Sequence, residues 1–513
     1  MHWSKSRRSD HPLANRRHTD EFLARLRQQN HYAAVEEVTF WLKAIRDAYG
    51  VAPSRKYEIA DLLDRAARVP LLALASEFVS LGSRYRTFEA QRIWNLSFQF
   101  ARELSAAYQY LIDQYRTRVA GADPLLQVLP LMVVRAVRAL KAELKWSLLR
   151  HGPVDELLWQ RAGSLYSYAE QERFAATDMA VYPDTPKRSS TRSEYLQALM
   201  MSISATDALP PEKQHLIELL IEECAESFDL DRAPRRGCHY CVDLSGNAGP
   251  MRLMERPTAK EHIRYFGPDR SAAQVDALLK GFRERGVIPS ALNPGETLAP
   301  TIVLDVLSHV MRHWAPTPPV RASERKRAVA RISVVHGLNS ILGMVSGVSN
   351  ELDFDSGVET WTVEDESEGG FGAVITETDS DWLEIGSLLA VCAEESATWS
   401  IASVRRLSRP APGTIRVGVE VLSRAEVKVE IDAVDSDGTK KKLPALLLLS
   451  GRDGSAQREE LDLVLPPKSF TDGQSWVMRA FERPYVLTPS VLHEQGEDYE
   501  LARFRAQRSE KEA

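Results

Sequence analysis

The stretch RKRAVARI, Arg325–Ile332, places four cations in eight residues, with Arg327 and Arg331 four apart. Some thirty residues on comes VEDESEGGFGAVI, Val363–Ile375, an acid-serine-glycine turn that leads into an apolar run. The residues that follow decide the fold. ARISVV, ETWTVED, GAVITE, SLLAVCA, WSIASVRRL, TIRVGVEVL and EVKVEIDAV are short, β-branched and separated by turn residues, which predicts strands. Seven strands in about a hundred residues predict a small antiparallel barrel. PALLLLSG, REELDLVL and SWVMRAFERPYVL read as a further β set, and the tail RFRAQRSEKEA as frayed.

Upstream the period changes. From about Thr19 to Leu230, segments such as YAAVEEVTFWLKAIRDAY and TFEAQRIWNLSFQFARELSAAYQYLIDQYRTRV space apolar residues by three and four, the helical signature. PEKQHLIELLIEECAESF opens on Pro210 and Pro211, as helices do. YPDTPKRSSTRSE, from Tyr182, is a polar connector. Between Ala233 and Pro319 the character is mixed: CHYCVDLSG reads as a short strand. SAAQVDALLKGFRERG reads as a helix stopped at Gly286. APTPPVRASER, Ala315–Arg325, is a Pro-rich linker and the strongest boundary. The expected class is α+β multidomain: a helical bundle or solenoid-like domain over 1–235, a mixed connecting region over 236–320, a barrel over 321–433 and a β-rich extension over 434–513.

The 513 residues carry 44% hydrophobic and 27% charged side chains and a net charge of -6. This is ordinary globular composition. It argues against a general DNA or RNA binder, which shows a basic excess. Four cysteines are too few for a disulfide framework. The first twenty residues lack an apolar core, and no run of eighteen apolar residues occurs. The expectation is a cytoplasmic chain without a transmembrane segment.

Most motif-like stretches reduce to structure. Cys238 and Cys241 form a CxxC, but no second ligand pair follows, and zinc needs four ligands. Strand alternation explains them. DAVDSDGTKKK lacks the acidic spacing of a calcium loop, and Asp437-Gly438 reads as a hairpin turn. GGFG has no Lys-Ser/Thr after it and fails as a P-loop. His309 and His313 share a helix face without a third ligand. No nucleophile, zinc-protease or kinase set occurs, so no enzyme and no metal or other cofactor is expected.

The arginine pair and the turn remain. Arginine offers planar forked donors for phosphate and for guanine edges. Asp365 can accept from guanine N1-H and N2-H. Ser367 and backbone N–H groups near Gly369 and Gly370 can hold phosphate, and glycine permits close approach. Together they describe a purine-and-phosphate site.

At these residues the chain resembles the PilZ domain, the bacterial receptor module for cyclic di-GMP. That family's pattern is Arg-x-x-x-Arg in a lead-in segment, then Asp/Asn-x-Ser-x-x-Gly on a six-stranded barrel. Arg327 and Arg331 match the first motif, and Asp365, Ser367 and Gly370 the second. The resemblance covers roughly Arg321 to Ala433. The spacing between the motifs is longer than in compact members, the excess lying near GLNSILGMVSGVSNELDFDSG. The resemblance implies a cytoplasmic bacterial cyclic di-GMP effector or adaptor with those five residues as ligand-binding residues. Its helical domain would meet an unknown protein partner, and the ligand would draw a mobile arginine lead-in onto the barrel. The alternative is a scaffold whose degenerate barrel binds no nucleotide.

Overall fold

The computed structural model describes residues 11–81, 87–253, 260–286, 288–290, 292, 298–317, 324–345, 358–376, 382–394, 396, 398–411, 413–434, 440–449, 460–471, 475–480 and 483–508. The chain forms two compact units, Met1–Pro319 and Val320–Ala513, divided inside the Pro-rich stretch. Residues 318–323 of that stretch and the Asp437-Gly438 turn lie outside the described residues.

The first unit opens with α1 (Arg16–Leu26), α2 (His31–Asp47), α3 (Pro53–Ser80), α4 (Phe88–Arg116), α5 (Leu129–Leu149), α6 (Leu158–Gln171), α7 (Thr191–Ile203) and α8 (Pro211–Glu223). On α2, Val35, Val38, Leu42 and Ile45 repeat at the helical period and are fully buried. Asn30 caps this helix by accepting the Ala33 N–H at 2.8 Å. Pro53 and Pro211 begin α3 and α8, where proline loses no hydrogen bond. The connector after α6 departs from the helical expectation. Its two-residue strands β1 (Met179–Ala180) and β2 (Arg188–Ser189) pair antiparallel.

A buried polar knot ties these helices together. Arg135 on α5 donates to the Val181 carbonyl at 2.8 and 3.1 Å and to the Tyr108 hydroxyl at 3.0 Å. Asp64 on α3 accepts from Tyr108 at 2.8 Å and Tyr182 at 2.9 Å. Burial pushes the Asp64 carboxyl up, against the pull of Arg135 and the two hydroxyls. Removing Arg135 would leave the buried Asp64 carboxylate without its cation, a loss of about 3–5 kcal/mol.

The region expected to be a separate connection shares the helical core. The strands β3 (Asp229–Asp231), β4 (Tyr240–Asp243), β5 (Met251–Arg252) and β6 (Ile263–Gly267) form a sheet in the order β3-β6-β4-β5. With α9 (Asp269–Arg285) and α10 (Pro300–His313) they contribute Val242, Phe266, Val275, Val306 and Trp314 to the cluster holding the helices. These short strands cannot enclose a core of their own. Gly286 ends α9 at φ 66°, the left-handed stop that its position predicts.

The second unit holds two closed barrels. The first comprises β7 (Lys326–His336), β8 (Glu359–Ser367), β9 (Gly370–Thr376), β10 (Leu388–Ala393), β11 (Ser400–Ala411) and β12 (Thr414–Ser423), ordered β10-β11-β12-β9-β8-β7. Its lumen is filled by Val334, Trp361, Ala373, Val404, Ile415 and Val417, among others. The second comprises β13 (Glu426–Val434), β14 (Lys440–Leu448), β15 (Glu460–Leu465), β16 (Trp476–Ala480), β17 (Arg483–Gln495) and β18 (Glu500–Arg508), ordered β13-β14-β15-β18-β17-β16.

Two expectations change here. EVKVEIDAV is not a seventh strand of the first barrel: β13 pairs with β14 and β16 and opens the second. The tail is not frayed through Arg508. Strand β18 lies between β15 and β17, with Ala502 and Phe504 in the core, because the charges of RFRAQR alternate with inward apolar residues.

The long β7–β8 connection begins with α11 (Leu338–Val345). Leu338, Ile341 and Leu342 pack between the barrels, against Leu388, Ala390 and Ile401 of the first and Leu446, Leu448 and Val464 of the second. Arg405 of β11 pairs with Glu420 at 2.6 Å and also with Glu494 of β17. The Tyr499 hydroxyl donates to Glu494 at 2.7 Å.

Candidate functional site

Arg327 and Arg331 are strand residues, both exposed. They do not lie on a mobile lead-in, because β7 begins at Lys326 and is paired from its first residue. Arg327 stands directly opposite Asp365, and Arg331 opposite Thr362. Opposed Cα atoms in an antiparallel pair lie about 5 Å apart, so the two sequence motifs meet on neighbouring strands.

A bulge sets the face. Along β8, Trp361 and Val363 point into the lumen and are 1% and 4% exposed. Unbroken alternation would turn Asp365 inward with them. The register shifts instead between Val363 and Asp365, and on β7 between Arg327 and Ala330. Glu364 is the extra residue on β8, and Val329 on β7 is everted to 92% exposure. Asp365 therefore faces Gly372, which alternates with the inward Phe371 and Ala373. A Cβ on Gly372 would lie 2.7 Å from Asp365 Oδ1, so the carboxylate sits on the outer face. Its side chain is 36% exposed and ion-paired with Arg325.

One outer row now crosses five strands: Arg327, Asp365, Gly372, Gly418 and Arg406 are successive partners. Its floor is glycine. A Cβ on Gly418 would meet the Arg406 side chain at 3.2 Å. The row is thus a shallow trough walled by Asp365 and Arg325 at one end and Arg406 at the other. Glycine inside a strand marks such close approach.

Ser367 and Gly370 close the adjoining hairpin. The Ser367 hydroxyl donates to the Gly370 carbonyl at 3.0 Å. Gly370 is opposite Glu420, and a Cβ there would fall 2.1 Å from the Val419 carbonyl oxygen. The packing admits only glycine.

The acidic neighbours are accounted for individually. Glu364 pairs with Arg416 at 2.9 Å. Glu366 is opposite the inward-facing Phe371 and so projects away from the Asp365 face. The Glu368 carbonyl accepts from Arg424 at 3.0 Å.

Sequence reasoning singled out Arg327, Arg331, Asp365, Ser367 and Gly370, and missed Arg325, Gly372, Arg406 and Gly418. The available signal was glycine within β-branched runs, GFGAVI and TIRVGVEVL. Among the described residues no group of three or more His, Cys, Asp or Glu is arranged to hold a metal. Cys238 and Cys241 are free thiols, both pushed up by burial. His309 meets the Ser204 carbonyl at 2.9 Å. No described helix is long and apolar enough to cross a membrane.

A family model described as "Cyclic-di-GMP receptor FimW, N-terminal domain" matches residues 17–235. The match covers α1–α8 and the start of the small sheet, and none of the barrel residues. Over that span the chain is similar to the N-terminal domain of a cyclic-di-GMP receptor family. No curated protein matches the chain.

Proposed function

We propose that the protein is a cyclic di-GMP-binding effector that acts as a receptor rather than an enzyme. The dinucleotide lies on the outer face of the first barrel, and the helical unit engages a protein partner. The supporting observation is the pairing of Arg327 with Asp365 across a glycine-floored trough. It occurs in a chain whose helical part is similar to the N-terminal domain of a cyclic-di-GMP receptor family.

In this reading Asp365 accepts from guanine N1-H and N2-H. Arg327 and Arg331 take phosphate or guanine edges by charge-assisted bonds. Ser367 and the turn at Gly369 and Gly370 hold the phosphate side. Arg325 occupies the Asp365 carboxylate in the free protein. Ligand entry exchanges that partner, releasing Arg325 to clamp the anion. Such an exchange at the start of β7 gives the ligand a differential contact with two states, which any switch requires.

The same Arg325–Asp365 pair favours the second reading, a scaffold whose barrel needs no nucleotide. Calorimetric titration of cyclic di-GMP into the full chain and into Arg325→Ala separates the two. Binding by the wild type that changes in the variant supports the receptor. Absence of binding in both supports the scaffold.

A further inference from the structure

The helical unit carries a cleft of about 760 Å³ between α2 and α4. We propose that it is a docking groove for an acidic amphipathic helix of a partner protein, which deepens the reading of this unit as the partner-binding half.

The two helices run side by side in the same direction. The Arg92 guanidinium lies over the Tyr32 ring at 4.4 Å near one end, and Arg46 pairs with Glu103 at 2.6 Å near the other. From residue 32 to residue 46 a helix advances roughly 21 Å. This length suits a peptide helix of about four turns better than a compact metabolite.

The walls specify its chemistry. Phe40 lines the cleft and is 63% exposed, its ring meeting only the edge of Trp41 at 5.0 Å among the described residues. An apolar anchor laid on it would remove that surface from water. Further along, the cations are unequal. Arg46 is neutralised by Glu103, and Arg161 by Glu143 and Asp155. Lys43 and Arg102 have no ion pair among the described residues. Both are exposed on the groove and ready to meet carboxylates. Glu36 stands exposed in the same wall. Its charge disfavours a dense phosphate cluster while leaving room for dispersed side-chain carboxylates beside Lys43 and Arg102. An apolar stripe flanked by acids fits this pattern.

The test uses the full chain and a labelled helical peptide of about 16 residues, with leucine at three-and-four spacing and glutamate flanking it. A lysine-for-glutamate counterpart is the control. Fluorescence anisotropy is expected to show saturable binding of the glutamate peptide and none of the lysine peptide. The double variant Lys43→Glu/Arg102→Glu is expected to weaken binding by about tenfold or more. Both positions are exposed, so the variant keeps its helical circular dichroism and melting temperature. Absence of glutamate-peptide binding, or equal binding by the double variant, overturns the proposal. Loss of cyclic di-GMP binding in the double variant also overturns it, marking the cleft as a nucleotide site. Failure of the barrel reading has a different signature: peptide binding intact in a wild-type chain that takes up no nucleotide.

Discussion

The two barrels of the second unit have the same wiring and opposite surfaces. Numbered from its own first strand, each has the order 1-2-3-6-5-4, closed between strands 1 and 4. On the first barrel, the outer face of strands 1 to 3 carries Arg327, Asp365 and Gly372 in one rung. A rung of the same three strands in the second reads Lys428, Leu446 and Val464. There Leu446 and Val464 are fully buried against α11 and the first barrel. Glycine interrupts the first barrel's strands at 370, 372 and 418, whereas no strand of the second contains one. The shared topology confers neither property. What separates an exposed, glycine-floored trough from a packing face is a bulge, three glycines and the charge placed beside them.

The largest test of this contrast is a charge on each face. Leu446→Glu should destabilise the second unit by about 3–5 kcal/mol in urea unfolding, since it buries an unpaired carboxylate. Thr362→Glu, on the exposed face of the first barrel, should change stability by no more than about 0.5 kcal/mol. Similar losses at both sites would erase the distinction. Next in size is Gly370→Ala, whose methyl group meets a backbone carbonyl. We expect a loss of about 1–3 kcal/mol from overpacking, visible as a lower melting temperature before any ligand is added.

Arg327→Ala and Arg331→Ala should leave folding intact and each weaken cyclic di-GMP binding by about 1–3 kcal/mol, the worth of a charged hydrogen bond. Calorimetry measures it, and unchanged affinity in both would remove the arginine clamp. The smallest effect concerns the junction. Burial alone would raise the Glu494 carboxyl, but Arg405 and Tyr499 hold it below its ordinary value near 4.5. A lowered folded pKa gives stability that is fully present above the unfolded value and lost as pH falls through the folded one. Acid titration of wild type should therefore show a decline below about pH 4.5 that is shallower in Glu494→Gln. Identical acid limbs would show that the pair contributes nothing to the contact between barrels.

Period and punctuation made much of this fold legible. Val35, Val38, Leu42 and Ile45 announce α2, Gly286 stops α9, and the Pro-rich stretch marks the division into units. Closure of the second barrel was not legible. Strands β14 and β15 are visible one by one, but β16 and β17 read as a single stretch and β18 as a frayed tail. Pairing is a long-range choice, and the β13–β14 and β13–β16 ladders show that EVKVEIDAV belongs with the later strands. The letters of the candidate site were visible and its geometry was not. Trp361, Val363 and Asp365 read as one alternating face, and nothing local in WTVEDES marks Glu364 as the residue that breaks it. The bulge depends on the facing strand, where Ala328 and Val329 are the unmatched residues. Arg325 escaped notice for a related reason. The four-residue spacing drew attention to Arg327 and Arg331, while the contact to Asp365 is set by where β7 begins.

Whether the outer trough of the first barrel takes cyclic di-GMP is decided by calorimetric titration of the full chain beside Asp365→Ala. Asp365 is part-exposed and outside the core, so its loss should not unfold the barrel. Saturable binding by the wild type and a loss of about 1–3 kcal/mol in the variant are expected. No binding by the wild type, or equal affinity in the two proteins, would contradict cyclic di-GMP binding in the trough.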